Sequence, residues 1–218
     1  MGPIMKIIRL RLALRTAVLA AAFLAMSSAD DGFGAGFSKS ELEAKLFYCK
    51  TCHGMEGQGF RGYYPIPRLA GQNTQYLENQ LRAFLEGRRH HPVMSVVANA
   101  VQPWMIEGLA ANFAKLNPPP YGDAPRDDWA LGKRIFLEGL PESDVPACFA
   151  CHGPDAHGHG QIPRLAGQLY WYIVSALSNW TDERGLGAPD ISRIMVPTTH
   201  NLTHAQIEAV AAYVSTLK

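Results

Sequence analysis

The chain has 218 residues of which 47% are hydrophobic, enough for one large domain or two small ones, and its 20 basic and 19 acidic residues nearly cancel. Four of the basic residues (Lys6, Arg9, Arg11 and Arg15) fall in a segment expected to be removed, leaving 16 basic against 19 acidic, which argues against nucleic acid as a partner. All four cysteines belong to one repeated motif, so none is left for a disulfide staple.

Residues 1–29 read as a secretory leader. A basic start is followed by the uncharged apolar stretch Thr16 to Met26, then by Ser27-Ser28-Ala29, whose small side chains suit peptidase cleavage. Those eleven apolar residues fall short of the roughly 20 that span a bilayer, so cleavage and export are expected rather than a membrane anchor. After the glycine-rich stretch Gly32 to Gly36, Ser38 or Ser40 is expected to cap a short helix running through Glu41, Leu42, Ala44, Leu46 and Phe47 towards Cys49.

That helix delivers Cys49-Lys-Thr-Cys52-His53, and the pattern returns as Cys148-Phe-Ala-Cys151-His152. CxxCH is the haem c attachment signature. Two thiols three residues apart can each add across one of two neighbouring vinyl groups, and the next imidazole then falls beneath the iron. Zinc is the competing use of such residues, but a tetrahedral site normally pairs one CxxC with a second close ligand pair. Here each pair is followed at once by histidine and no other cysteine exists. Two covalently bound haem c groups are therefore expected, anchored at Cys49, Cys52, Cys148 and Cys151, with His53 and His152 as proximal ligands.

Asn117-Pro-Pro-Pro-Tyr-Gly-Asp-Ala-Pro125 cannot continue a helix, because consecutive prolines remove donors and hold the backbone extended. It divides the chain into a first unit at 30–116, a linker at 117–128 and a second unit at 129–218. Units of roughly 90 residues are near the small end for an independent core, so the macrocycle is expected to serve as part of it. Trp129 to Leu137 predicts a helix with Leu131, Ile135 and Phe136 on its apolar side, stopped by Pro141. Thr203 to Leu217 predicts the last helix, with Ile207, Val210, Ala211 and Val214 at helical spacing. Strand signals are weak, and the fold expected is all-α with long loops.

A second repeat follows each CxxCH: Ile66-Pro-Arg-Leu-Ala-Gly-Gln72 recurs unchanged as Ile162-Pro-Arg-Leu-Ala-Gly-Gln168. Beyond it, Tyr76, Leu77 and Leu81 match Tyr172, Ile173 and Leu177. The leucine positions suit core packing; the phenols suit either packing or a bond to a haem propionate. A ligating histidine usually donates its other ring N–H to a carbonyl, and the rigid Pro67 and Pro163 are placed for that. Arg68 and Arg164 suit either propionates or solvent.

Histidine-ligated iron commonly takes methionine as sixth ligand in electron-transfer proteins. The second unit offers only Met195 after its histidine; aligning the final helices sets Met94 opposite Met195 and Met105 opposite Gln206. Met94 and Met195 are thus the distal candidates. Met105 reads as core filler, and Met55 is too close to His53 to reach the far face. His90, His91, His157, His159, His200 and His204 read as surface loop residues, with His91 a substitute ligand if Met94 is lost.

CxxCHG twice, IPRLAGQ twice, Gly87-Arg-Arg-His-His-Pro-Val-Met94 and the closing Ala209-Val-Ala-Ala-Tyr-Val214 make the chain resemble a dihaem class I cytochrome c, most closely the cytochrome c4 family, over nearly all of residues 38–218. The resemblance implies two small helical cytochrome domains with bis His/Met haems close together across their interface, in a periplasmic protein often loosely attached to the inner membrane. It implies electron delivery towards a terminal oxidase from a redox partner such as a quinol-oxidising complex or a dehydrogenase. Two departures stand out. Ala100-Val-Gln-Pro-Trp104 lacks the Leu202-Thr203 helix start, which puts Pro103 in the first turn, and Gly185-Leu-Gly-Ala-Pro189 lengthens the loop before Met195. Full coordination spheres leave no position for substrate, so outer-sphere transfer is expected rather than catalysis at iron. The rival expectation is a cytochrome subunit of a periplasmic dehydrogenase, or a dihaem oxidoreductase with a displaceable sixth ligand.

Overall fold

The computed structural model describes the backbone of residues 31–62, 64–184 and 191–218, and side chains from residue 39 apart from 63 and 185–192. The expected leader and the Gly185–Pro189 insertion lie outside the described residues. The chain divides into Met1–Ala44, of which the described part is helical, and Lys45–Lys218. The architecture is all-α: three isolated antiparallel bridges, Phe60 with Ile66, Leu140 with Val145 and His159 with Ile162, are the only β pairing among the described residues. No helix among them is long and apolar enough to cross a membrane.

Helix α1 is Asp31–His53. It begins before Ser38 and Ser40, through the glycine-rich stretch, because extending a formed helix gains a hydrogen bond for each residue fixed. Helices α2 (Thr74–Leu85), α3 (Met94–Asn99) and α4 (Met105–Ala114) follow. Leu77 of α2 meets Ala110 and Phe113 of α4 in an apolar cluster flanked by Leu46, Cys49, Leu69 and Leu116. Pro103 does not open α4; it sits in the turn before it, where its carbonyl takes the Ile106 N–H.

The segment from Asn117 is extended and pinned. Tyr121 donates its hydroxyl to the Gly59 carbonyl at 3.1 Å, Arg61 stacks 4.2 Å from the Tyr121 ring, and the same guanidinium pairs with Asp123 at 2.9 Å.

After it come α5 (Trp129–Glu138), α6 (Phe149–His152), α7 (Tyr170–Ser178), α8 (Trp180–Arg184), α9 (Met195–Thr199) and α10 (His204–Thr216). Helix α5 ends at Gly139, whose φ of 72° no β-carbon would tolerate beside the Val145 carbonyl. Pro141, the expected stop, instead opens a 3-10 turn at Pro141–Ser143, since its fixed φ suits a first helical position.

Helix α10 packs against α5 and α7. Its buried Ala209, Val210, Ala211 and Val214 meet Ile135 and Phe136 of α5 and Ile173 and Val174 of α7 in the larger apolar cluster. Tyr213 completes the contact, its ring 5.2 Å from Trp129 and 5.4 Å from Phe136. The helix starts on a capping box: Thr203 Oγ1 accepts the Gln206 N–H while Gln206 Oε1 accepts the Thr203 N–H. Thr203→Ala is expected to lower unfolding stability by about 1 kcal/mol, measured by denaturant titration.

Candidate functional site

Each CxxCH closes a helix, α1 or α6, so that three side chains one and three residues apart emerge from a single turn. Cys52 and Cys151 are exposed, Cys49 and Cys148 half-buried, and burial pushes the Cys148 thiol up to about 11. None of the four is joined to another cysteine in a disulfide. Among the described residues no three His, Cys, Asp or Glu side chains converge, so the pairs are not gathered into the tetrahedral set that zinc takes.

The histidines are alike to a tenth of an ångström. His53 Nδ1 donates to the Pro67 carbonyl at 2.9 Å, and His152 Nδ1 donates to the Pro163 carbonyl at 2.9 Å. Both are buried, and burial lowers both pKa values. A neutral imidazole with Nδ1–H engaged presents Nε2 as its lone-pair nitrogen, the form a metal takes.

The loop that brings each proline to its histidine is also duplicated. Gly57 and Ala156 both have positive φ (69° and 59°), and each turns its carbonyl onto two N–H groups of the second repeat, from Leu69 and Ala70 or from Leu165 and Ala166. Gly71 and Gly167 then donate to Phe113 and Val214, locking each repeat to the end of α4 or α10.

Met94 is the first residue of α3 and Met195 the first of α9; both are half-buried. The two thus hold equivalent places in the fold. Met105 is 5% exposed, buried along α4 with Ile106, Leu109 and Phe113, and Met55 is exposed beside His53. His91 acts on its own loop, where Nδ1 accepts the N–H groups of Val93 and Met94, each at 3.2 Å, and so caps the helix that carries Met94. His157 pairs with Asp155 and the Lys218 carbonyl, and His200 with the Pro197 carbonyl.

The arginines test whether a carboxylate-bearing macrocycle fits. Arg68 is 4% exposed, bonded to the Ala70 carbonyl and Asn117 Oδ1, and burial plus the neighbouring Arg164 lower it to about 10. A buried cation whose charged neighbour is another cation suits an anion. Haem propionates supply one. Apolar side chains also stand exposed beside the thiols and methionines, namely Phe47, Tyr48, Phe149, Val93, Val96 and Ile194. The donor set and its surroundings fit covalent haem c.

The sequence-predicted tyrosines take arginine partners. Tyr172 accepts from Arg89 Nη2 at 3.1 Å and Tyr76 is bonded to Arg184. Both guanidinium groups also donate to Gln80 Oε1, at 2.8 and 2.7 Å, while Glu183 lies 3.2 Å from Arg89. Two guanidinium groups here face one carboxylate, so this cluster too holds more positive than negative charge, and Arg89 Nε is buried with no partner. The part played by Gln72 and Gln168 was not read from sequence. Their side chains cross between the repeats, and the signal for them was a glutamine recurring at the end of an unchanged heptapeptide.

The family model described as cytochrome c matches residues 129–218. Cytochrome c-552 of Acidithiobacillus ferridurans is 38% identical over 175 residues, covering 78% of this chain and 73% of that protein. A protein of Thiomonas intermedia strain K12 named thiosulfate dehydrogenase electron acceptor is 38% identical over 176 residues, covering 77% of each. The solved cytochrome c4 of Acidithiobacillus ferrooxidans superposes with a TM-score of 0.67 at 36% identity, covering 78% of this chain and 98% of that one.

Proposed function

The chain belongs to the cytochrome c4 family of dihaem cytochromes c, and from that premise we propose that it is a periplasmic carrier exchanging single electrons between a respiratory donor and a terminal oxidase. It carries covalently bound haem c and acts as an electron carrier, not as a catalyst. The finer assignment takes 1–29 as a cleaved leader, 30–116 and 129–218 as the two cytochrome domains and 117–128 as the link. Cys49, Cys52, Cys148 and Cys151 anchor the haems; His53 and Met94 ligate one iron, His152 and Met195 the other.

The observation that carries this reading is the matched pair of histidine-to-proline bonds, each beside a CxxC and each answered by a methionine that opens a short helix. Haem c supplies one-electron exchange between ferrous and ferric iron. The residues of the chain hold that exchange to outer-sphere transfer. Histidine fixed through Nδ1 would present Nε2 to the iron and methionine would supply a further ligand, leaving no position for substrate, and thioether ligation would favour a relatively high potential. Burial of the arginine cluster keeps positive charge ready for propionates without exposing it to solvent.

A second reading keeps the same chemistry and changes the donor. Similarity to a thiosulfate dehydrogenase electron acceptor supports a dehydrogenase as the immediate source of electrons. Partner docking would use a small interface, as transient redox encounters do, and peripheral attachment to the inner membrane is compatible with either donor. Purified, reduced holoprotein is expected not to bind carbon monoxide at either haem. Ready binding at one haem would overturn the carrier assignment. Rapid reduction by a thiosulfate dehydrogenase plus thiosulfate, against slow reduction by a quinol-oxidising complex, would select the second donor.

A further inference from the structure

The heptapeptide repeat ends in glutamine, and each copy of that glutamine holds a peptide of the other repeat. Gln168 Oε1 accepts the Arg68 N–H at 2.8 Å and Gln168 Nε2 donates to the Arg68 carbonyl at 3.0 Å. Gln72 returns the contact to Arg164, accepting its N–H at 2.7 Å and donating to its carbonyl at 2.9 Å. Both side chains are buried, at 7% and 6% exposure. Each Oε1 takes a further N–H, from Leu169 or Asn73, both at 2.9 Å. An inverted amide would turn its NH2 onto two N–H donors, so the orientation is fixed.

The N–H of Arg68 and the C=O of Pro67 belong to one peptide unit. That carbonyl is the acceptor for His53 Nδ1. Hydrogen bonds in series polarise one another, by about 10–30% per bond, so an acceptor on the Arg68 N–H makes the Pro67 oxygen a stronger acceptor in turn. A stronger bond at Nδ1 makes the imidazole a more basic ligand. A more basic ligand favours ferric over ferrous iron. The same series runs from Gln72 through the Pro163–Arg164 peptide to His152.

We propose that Gln72 and Gln168 are crossed positioning residues, each setting the ligand strength of the histidine in the opposite unit, Gln168 acting on His53 and Gln72 on His152. The potential of each haem then depends on the docked state of its neighbour. The proposal rests on His53 and His152 being the iron ligands.

The test uses the full-length dihaem protein. Gln168→Met keeps the side-chain length and removes all three of its side-chain hydrogen bonds; Gln168→Glu keeps an acceptor at the Arg68 N–H; Gln72→Met is the mirror change. Readouts are the two midpoint potentials and the assigned His53 and His152 Nδ1–H resonances of nitrogen-15-labelled reduced protein. Gln168→Met is expected to raise the first haem's potential and move the His53 Nδ1–H resonance upfield while leaving His152 in place. Gln168→Glu moves the His53 resonance back towards or past its original position. Gln72→Met acts on His152 alone. Shifts confined to the substituted residue's own unit, equal shifts at both histidines, or an unmoved His53 resonance in both Gln168 variants would overturn it. Absence of haem-shifted resonances from His53 and His152 in the parent protein would instead defeat the ligand assignment itself.

Discussion

Gly132→Ala is expected to unfold the core between α5 and α10 in the holoprotein under conditions where the parent stays folded. By helix propensity alone the change should stabilise, by about 1 kcal/mol. Packing reverses the sign. A β-carbon at Gly132 would meet the Ala209 carbonyl oxygen at 1.9 Å, its carbon at 2.5 Å and the Tyr213 β-carbon at 3.0 Å. The obstruction is helix backbone, which cannot swing aside as a side-chain tip does. Ile135, Phe136 and Ala209 around it are fully buried, so α5 cannot retreat from α10 without opening the core. Overpacking typically costs about 1–3 kcal/mol and occasionally more. With main chain as the obstacle the upper part of that range is expected, read as a lowered urea midpoint by circular dichroism. An unchanged or raised midpoint would show that the two helices can separate freely.

Met94→Ala and Met105→Ala are expected to fail in opposite ways. Loss of Met94 removes a sixth ligand, so the first haem should bind carbon monoxide and its thioether-to-ferric-iron absorption should vanish, with its potential falling as thioether ligation is lost. Loss of Met105 should leave ligation intact and cost stability, by about 2–5 kcal/mol for a buried methionine truncated to alanine. The difference follows from position: Met94 is half-buried at the start of α3, whereas Met105 lies at 5% exposure among Ile106, Leu109 and Phe113. His91 stands three residues before Met94 and already bonds to its backbone. Carbon monoxide binding by Met105→Ala, with Met94→Ala unaffected, would reverse the two assignments.

What could be read from the residues was what repeats. CxxCH and the heptapeptide carry their chemistry in local spacing, and the Pro67 and Pro163 carbonyls follow from a rule about ligating histidines, which the two 2.9 Å bonds bear out. The helices Trp129–Glu138 and His204–Thr216 were legible from apolar periodicity and from the Thr203 cap. Gly132 was not, because a missing side chain leaves no mark until a second helix is laid across it. Nor were the partners of Tyr76 and Tyr172, since Arg89 and Arg184 reach them from segments distant in sequence. The start of α1 at Asp31 was misplaced because serine capping signals are visible and helix extension through glycine is not.

The glutamine contacts run both ways, the first copy gripping the second as the second grips the first. Mutual exchange of the same bonds is how two identical molecules pair about a two-fold axis. Because Asn117–Pro125 joins the two repeats in one chain, their encounter is tethered rather than dilution-sensitive, at a local concentration on the order of millimolar. A modest polar seam is then sufficient to keep the halves together.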